Sequence, residues 1–354
     1  MSDWTYNGLF LSVNDADALY SQMMAQPWTR ESADVAAIHF GLAYKMFGGA
    51  QAHEIPTILL FLSTRAHSRA RRPTHRFITD VLLPALFTRK RGHRSGASPI
   101  FPKLKKGQIC ITWIGHASFL IQTSQANILI DPNWANWLLV VRRLRHAGLL
   151  HHHLPSIDLV LITHAHFDHL HRRSLRKIAS NQPIVVPSGV ADLVHGLGFE
   201  KVYEMNWWER LRFPGAAITF VPAKHWGARK VTDHHRGYGG YVLDVGGRTI
   251  YHAGDSGYFN GFREIGKKLH PEISLLPIGA YHGPKFGENH MDPEESLRAF
   301  EDLKSKVLIP MHFGTYRLSY EPLHEPPQRL MEAATRAGRL SDVRFLIEGM
   351  PTLF

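Results

Sequence analysis

Cysteine is almost missing from this chain of 354 residues, which contains only Cys110. A single cysteine excludes a disulfide within the chain and also excludes any cysteine-rich zinc site. It is compatible with a reducing compartment. Any metal site must therefore be built from histidines and carboxylates, and the 24 histidines of the sequence supply the first of these in quantity.

Long apolar runs are missing as well. The first ten residues lack the basic start and the apolar stretch of a secretory signal, and no later run approaches the roughly 20 apolar residues of a membrane-spanning helix. We therefore expect a cytoplasmic protein whose contact with the inner face of a membrane, if any, is peripheral. The composition, 44% hydrophobic and 20% charged, is typical of a packed globular protein.

Acidic residues are in the minority, with 30 against 41 basic ones, which gives a formal charge of +11. Such a balance favours anionic partners such as phospholipid surfaces, nucleic acids or phosphorylated substrates. Many arginines fall in residues 65–94, after the apolar run 58–62. This basic amphipathic region either rests on an anionic membrane or packs its apolar face on the main domain. The histidines at 151–153 are expected in a solvated turn, because three adjacent residues cannot all face one ion.

The two parts of the chain differ in their hydrophobic periodicity. Residues 1–105 are predicted to be mostly helical, with caps near Asn14 and Ser32, and the Gly-, Ser- and Pro-rich residues 92–102 predict a linker. Residues 106–354 alternate β-rich runs with helical stretches, which predicts an α/β domain with two sheets between helices. The predicted strands are residues 109–113, 119–122, 128–130, 159–163, 184–186, 218–221, 241–245, 249–251, 273–277 and 307–310, and the predicted helices are 171–179, 191–197, 293–303 and 327–337.

A histidine-rich loop follows one of these strands. Residues 157–163 are almost continuously apolar, as in a strand buried on both faces, and the loop then carries His164, His166, Asp168 and His169. Alternation along an extended loop lets His164 and His166 point the same way, while the next turn brings Asp168 and His169 towards a second ion. One short loop can thus serve two metals.

Further candidate ligands stand just beyond three other predicted strands. These are His225, Asp255 and His312. The carboxyl ends of strands are where an open α/β sheet collects its chemistry, so we expect these side chains near the histidine-rich loop. Gly254 and Gly257 flank Asp255 and permit a close approach of the backbone.

This ordered set resembles the ligand set of the metallo-β-lactamase superfamily. Over residues 108–340 the chain is similar in particular to the N-acyl-phosphatidylethanolamine-hydrolysing phospholipase D branch. The resemblance implies an α/β fold, a four-layer αββα sandwich, here with an N-terminal helical extension. The motifs that carry it are residues 113–117, 131–132, 207–209, 225–226, 253–258, 276–281, 290–295 and 312–315.

The resemblance also implies two zinc ions, although the same nitrogen and oxygen ligands suit manganese or iron. The first ion would be held by His164, His166 and His225, the second by Asp168, His169 and His312, and Asp255 would bridge them.

Three residues are expected to be catalytic, namely Asp168, Asp255 and His290. His290 stands two residues before a predicted helix start and could protonate a leaving group; the alternative is that it only anchors its loop. Asp131 is expected to orient a ligand histidine. His116 is expected in the layer around the ligands or in the core.

We therefore expect a dinuclear phosphodiesterase in which metal-bound hydroxide attacks the phosphorus of N-acyl-phosphatidylethanolamine or a related glycerophospholipid. Residues 133–150 mix aromatics, aliphatics and arginines, and they either contact lipid or form a flap whose apolar side packs inward. His282 replaces another residue of the related enzymes, so the exact lipid stays open.

Three alternatives remain at the level of sequence. They are a lactonase of the sugar-phosphate lactone type, a nucleic-acid phosphodiesterase of the same superfamily, and a membrane-associated binding protein with an idle metal site. Nucleic acid is not the expected partner, because no stacking-rich module for single strands is found. The sequence does not determine the oligomeric state.

Overall fold

The computed structural model describes residues 77–88, 99–230, 233–283 and 287–354, and the backbone of two short strands near the amino terminus. The chain divides into two compact units, Met1–Arg71 and Arg72–Phe354. In the first unit, strand β1 (Thr5–Tyr6) pairs antiparallel with β2 (Leu9–Phe10). The remaining predictions for residues 1–76, both helices and basic region, lie outside the described residues. The predicted boundary at 105–106 stays a prediction.

The second unit contains two sheets. Its strands are β3 (Cys110–Gly115), β4 (Ser118–Gln122), β5 (Asn127–Ile130), β6 (Trp137–Leu138), β7 (Val141–Arg142), β8 (Leu159–Leu161), β9 (Ile184–Pro187), β10 (Val202–Met205), β11 (Arg210–Phe213), β12 (Ala216–Val221), β13 (Gly240–Val245), β14 (Arg248–His252), β15 (Ile273–Pro277), β16 (Val307–Met311) and β17 (Thr352–Leu353). The first sheet has the order β10-β9-β8-β5-β4-β3-β17, and the second has the order β11-β12-β13-β14-β15-β16. Strands β6 and β7 form a separate hairpin.

The helices of this unit are short and amphipathic. A π-helical turn, Ile78–Leu82, continues into α1 (Leu83–Phe87), followed by α2 (Arg172–Ile178), α3 (Gly261–Leu269), α4 (Pro293–Leu303) and α5 (Glu325–Arg336). Single 3-10 turns occur at His151–His153, Ala191–Leu193 and Leu340–Asp342. None of the helices in the described part of the chain is long and apolar enough to cross a membrane.

Alternation along the strands of the first sheet separates two hydrophobic cores. In β4, for example, Phe119 and Ile121 face the second sheet, whereas Leu120 faces away from it. Leu175 of α2 belongs to the core on the outer side of the first sheet. Helices α3, α4 and α5 pack side by side, α4 packs against β15, and Phe300 of α4 joins the larger core. The resulting layers confirm the predicted αββα sandwich.

Most predicted strands and helices are confirmed to within two residues at their ends. The helix predicted for residues 191–197 is wrong, because only the turn Ala191–Leu193 forms and Gly196 adopts a left-handed conformation with φ of 72°. The sequence-based prediction also missed α3 and seven strands, β1, β2, β6, β7, β10, β11 and β17.

Candidate metal centre

The histidine-rich loop leaves the first sheet at the end of β8 and turns tightly. The backbone N–H groups of His169 and Leu170 both donate to the carbonyl of His166, at 3.2 and 2.8 Å. Arg229 links the two ends of the loop, because one of its terminal guanidinium nitrogens donates to the carbonyls of Ala165 and Leu170, each at 2.8 Å. This arrangement turns the four ligand-type side chains of the loop towards the second sheet.

The side chains that could hold metal ions form two adjoining groups. Within each group, one ligand atom from every residue lies within 4.8 Å of the others. All seven predicted ligands fall into these groups, and His116 joins the second. The groups are His164, His166, His225 and Asp255, and His116, Asp168, His169 and His312.

Asp255 lies where the two groups meet. Its Oδ2 atom is 3.2 Å from the Nε2 atoms of both His169 and His312, and 3.8 and 3.9 Å from those of His164 and His225. The strand β14 ends three residues earlier, and Gly254 makes the turn with φ of 62°. A side chain at Gly254 would have its Cβ 2.7 Å from the carbonyl oxygen of Gly239, so only glycine fits.

The carboxylate of Asp168 has three imidazole neighbours. Its Oδ2 atom is 2.9 Å from Nε2 of His116, 3.4 Å from Nε2 of His312 and 3.7 Å from Nε2 of His169. His116 is itself fixed through its backbone, since its N–H donates to Thr315 Oγ1 at 2.9 Å and its carbonyl accepts from the N–H of His312 at 3.1 Å. The contact between His116 and Asp168 was not predicted, because nothing in the sequence marks two residues 52 positions apart as neighbours.

Asp131 lies beneath His169 rather than among the grouped ligand atoms. Its carboxylate accepts from the N–H of Thr163 at 2.8 Å, from the hydroxyl of Thr163 at 2.6 Å and from Nδ1 of His169 at 2.7 Å. The Nε2 atom of His169 therefore faces Asp255. A carboxylate on the far nitrogen is the usual device that fixes the tautomer and orientation of a metal-ligating histidine.

Burial and charge divide the histidines into two kinds. Burial lowers the pKa of His166 to about 4 and lowers those of His164 and His225 well below the ordinary value, so these rings are neutral and carry lone pairs at neutral pH. Burial also lowers the pKa of His169 and His312, but neighbouring carboxylates outweigh it. Among these carboxylates Asp255 has the largest effect, and the pKa of His312 is raised to about 9.

The pKa values of the two carboxylates, Asp168 and Asp255, shift in the opposite direction. Burial would raise both, yet the adjacent imidazoles hold both well below the ordinary value, and His169 has the largest effect. The two carboxylates therefore favour positive charge at the centre, which a divalent ion would supply.

The donor atoms fit such an ion. Nε2 of His169, Nε2 of His312 and Oδ1 of Asp255 are buried without a hydrogen-bond partner among the described atoms. Nδ1 of His166 lies 3.0 and 3.2 Å from Nε2 of His164 and of His225, so three rings direct nitrogens at one point. Buried polar atoms left unsatisfied in this way are costly unless a ligand takes them up.

His290 and Trp226 line the side of this centre. Nε2 of His290 is 3.5 Å from Oδ2 of Asp255, and its ring centroid is 5.0 Å from that of His225. Trp226, which was not predicted as a site residue, is 40% exposed and lies against the rings of His166 and His225 at 4.8 and 4.3 Å. Its indole thus forms an apolar, partly exposed surface beside the ligand group that contains Asp255.

The segment 133–150 packs mainly inward. Leu138, Leu144 and Leu149 are buried, and the Trp134 indole donates to the carbonyl of Leu149 at 2.7 Å. These residues match the flap alternative, while Trp137 and residues 139–140 are partly exposed. The histidines of the turn His151–His153 belong to neither ligand group.

Comparison with known proteins is consistent with this geometry. A family model described as the beta-lactamase superfamily domain matches residues 126–313. An N-acyl-phosphatidylethanolamine-hydrolyzing phospholipase D of Caenorhabditis elegans is 30% identical over 261 residues, which cover 68% of this chain and 73% of that protein. A metal-dependent hydrolase of Methanopyrus kandleri is 32% identical over 243 residues, covering 68% and 97% of the two chains.

Solved structures share the fold. A metallo hydrolase from the archaeon Ignicoccus hospitalis is 27% identical with a TM-score of 0.53, and the match covers 70% of this chain and 98% of that one. An isothiocyanate hydrolase from Delia radicum gut bacteria has a TM-score of 0.59 at 20% identity, with 69% and 99% of the chains covered. At that identity the likeness extends to the fold alone.

Proposed function

The chain belongs to the beta-lactamase superfamily. We propose that it is a metal-dependent hydrolase of the phospholipase D type. Its substrate would be N-acyl-phosphatidylethanolamine or a related glycerophospholipid. The observation that carries the proposal is the meeting of two ligand groups at Asp255, with His290 beside them. The similarity to the C. elegans phospholipase D supports the choice of a phosphodiester.

The proposed ligands are those expected from the sequence. His164, His166 and His225 would hold one ion, and Asp168, His169 and His312 the other. Asp255 would bridge, which its contacts of 3.2 to 3.9 Å with members of both groups support. When bound, a pair of divalent ions supplies Lewis acidity at the phosphorus and a water of lowered pKa.

We assign three residues to positioning within this scheme. Asp131 would keep the proton of His169 on Nδ1, so that Nε2 is free of it, and Arg229 would hold the loop in register through two carbonyls. His116 would fix Asp168 through the contact of 2.9 Å. These contacts arrange the ligand atoms before any ion or substrate arrives.

His290 is the proposed proton donor to the leaving alkoxide. Its side chain is 6% exposed and borders the centre without belonging to either ligand group. With its Nε2 proton directed towards the reacting region, it would transfer that proton as the phosphorus–oxygen bond breaks. Trp226, on the same side, would shield the region from bulk water.

The assignment of His290 can be tested with leaving groups of different basicity. His290→Gln should lower turnover by about a hundredfold or more for a substrate that releases an alkoxide. It should leave the release of 4-nitrophenolate almost unchanged, since that group departs without a proton. An equal loss on both substrates, or no loss on either with metal content intact, would contradict the role.

The activity itself is tested with the purified, metal-loaded chain. Metal per chain should be counted, and hydrolysis compared for N-acyl-phosphatidylethanolamine vesicles, a lactone panel and single-stranded RNA. Lipid cleavage that Asp255→Asn abolishes and Asp244→Asn, an exposed control, leaves intact supports the proposal. Fast lactone opening without lipid cleavage favours the lactonase, and RNA cleavage favours the nuclease.

A further inference from the structure

A small pocket, partly open to solvent, borders the metal centre at His312. Its walls come from the segment that follows His312 and from the start of α5. They mix polar and apolar side chains, and the charged side chains among them are Arg317 and Glu321. The apolar walls are Ala280, Phe313, Leu318, Leu323 and Pro326.

Arg317 has no counterion within the described part of the chain. Its guanidinium makes no hydrogen bond or ion pair there, and its Nε atom is buried without an acceptor. By contrast, the buried Arg143 nearby donates to the carbonyls of Arg145 and Asn133 and to the hydroxyl of Tyr316. A buried donor left without an acceptor is costly, and an oxyanion in the pocket would pair with the positive charge of the guanidinium.

Glu321 does not fill this role. One oxygen accepts the backbone N–H of Ala280 at 2.6 Å, and the other accepts the N–H of His282 at 3.1 Å together with the hydroxyl of Ser319. Its carboxylate is thereby committed to the loop that carries Ala280 and His282. Among the described residues that line the pocket, Arg317 is thus a cationic side chain without an anionic partner.

The segment that carries Arg317 is held on both sides. Tyr316 packs edge-on against His116 with ring centroids 5.1 Å apart, and its hydroxyl donates to the carbonyl of Ala135 at 2.7 Å. Ser319, two residues after Arg317, is buried and bonded to Glu321. The guanidinium is therefore mounted on a fixed backbone next to a proposed metal ligand, as a preorganised binding group requires.

We propose that Arg317 forms an anion subsite beside the metal centre, which binds a carboxylate carried by the substrate. This inference rests on the proposed function, in which the phosphodiester of the same molecule reacts at the metal ions. A carboxylate matches the single positive charge, whereas a phosphate dianion would leave a charge unbalanced close to Glu321. The substrate class is thus a phospholipid whose headgroup bears a carboxylate.

The subsite can be tested with N-acyl-phosphatidylserine and N-acyl-phosphatidylethanolamine, which differ only in that carboxylate. The two lipids are compared in otherwise identical vesicles. The metal-loaded wild-type chain should prefer the first by about tenfold in kcat/KM, through KM. Arg317→Met should abolish the preference by lowering kcat/KM on the first lipid towards that on the second, with metal content intact. Arg176→Met, which removes an exposed arginine of α2, should keep the preference.

A binding experiment separates this inference from the proposed function. 3-Phosphoglycerate and glycerol 3-phosphate share a phosphate but only the first has a carboxylate, and calorimetry on the metal-loaded chain should find it about tenfold tighter. Arg317→Met should equalise the two. If the wild type cleaves neither lipid, the phosphodiesterase proposal fails and the binding difference still decides on the subsite. Equal binding of the two anions by the wild type would overturn the subsite.

Discussion

Asp131 contacts the metal centre through its hydrogen bond to Nδ1 of His169. It adopts a left-handed backbone conformation with φ of 44°, and three donors from Thr163 and His169 converge on its carboxylate. An asparagine tolerates that conformation equally well but presents one donor where an acceptor is needed. The residue thus offers a substitution that changes charge and hydrogen bonding without changing shape.

We predict that Asp131→Asn weakens metal binding at the group containing His169 by about 10- to 100-fold. The reason is that the tautomer and orientation of His169 lose their support. Metal titration followed by atomic emission measures the effect. Asp244→Asn, which changes an exposed carboxylate on β13 paired with Arg210 at 3.1 Å, should bind metal like the wild type. Unchanged affinity in Asp131→Asn would remove Asp131 from the proposed scheme.

Glu348, which belongs to neither ligand group, gives a pH-dependent prediction. Burial raises the pKa of its carboxyl above the ordinary value of 4.5, against the opposing effect of Arg145 and Arg143. The folded state then holds the proton more tightly than the unfolded chain. The stability that this group contributes is therefore fully present below pH 4.5 and is lost as the pH rises through the raised pKa.

Glu348→Gln should accordingly be more stable than the wild type at pH 7, and the advantage should vanish towards pH 4.5. Urea unfolding at a series of pH values measures the difference. Glu332→Gln, on the exposed face of α5, is the matched control and should show no such trend. A stability difference that grows on acidification would show the opposite sign and refute the prediction.

At the scale of elements, α4 connects the fold to His290. Its N-cap, Asp292, lies two residues after His290 and forms a capping box, in which Asp292 accepts the N–H of Glu295 at 2.8 Å and Glu295 accepts that of Asp292 at 3.3 Å. Proline occupies its first turn, and Leu297 and Phe300 bury the inner face. The cap therefore fixes the direction in which the chain leaves the centre.

We predict that Asp292→Ala lowers the free energy of unfolding by about 1 kcal/mol, the usual cost of losing an N-cap. Urea denaturation measures it. Glu301→Ala, an exposed change on the same helix without a capping role, should stay within about 0.5 kcal/mol of the wild type. A comparable loss in both variants would assign the effect to the helix surface rather than to the cap.

The same helix shows which elements the sequence predicts well. Residues 293–303 carry a cap, a proline and apolar positions at helical spacing, and the predicted bounds are those of α4. Helix α3 was missed although Phe262 and Ile265 face the core, because Gly261 and Gly266 within it favour a turn. Strands β6, β7 and β17 have two residues each, which is too short for any periodicity.

The candidate site divides in a similar way. His164 and Asp255 each follow an apolar strand closely, which marks them as candidates, but the strands lie in different sheets, so their convergence also depends on how the sheets pack. The contact of His116 with Asp168 and the position of Arg317 depend on how loops from different strands pack, for which the sequence carries no local signal. Trp226 could have been found from its position next to His225.

At the scale of the whole molecule, a bound metal should stabilise the fold. The two groups contain buried nitrogens and a carboxylate oxygen without partners, which an ion binds only in the folded state. At a free metal concentration of about 100 Kd the gain is about 2.7 kcal/mol per site, or roughly 5 to 10 °C in Tm.

Chelation followed by re-addition of zinc should therefore lower and then restore Tm, and differential scanning calorimetry measures both steps. In Asp255→Asn most of the shift should disappear, because this residue contacts both groups. Asp244→Asn should behave like the wild type. A Tm that is the same with and without metal would show that the ions contribute nothing to folding.

Each ligand group draws on both sheets. His164 and His166 follow a strand of the first sheet and Asp255 one of the second, and in the other group only His312, after β16, comes from the second. During synthesis the ribosome must therefore release more than 312 residues before the second group exists at all. The first group needs only the residues up to Asp255, so the two groups are completed at different points of synthesis.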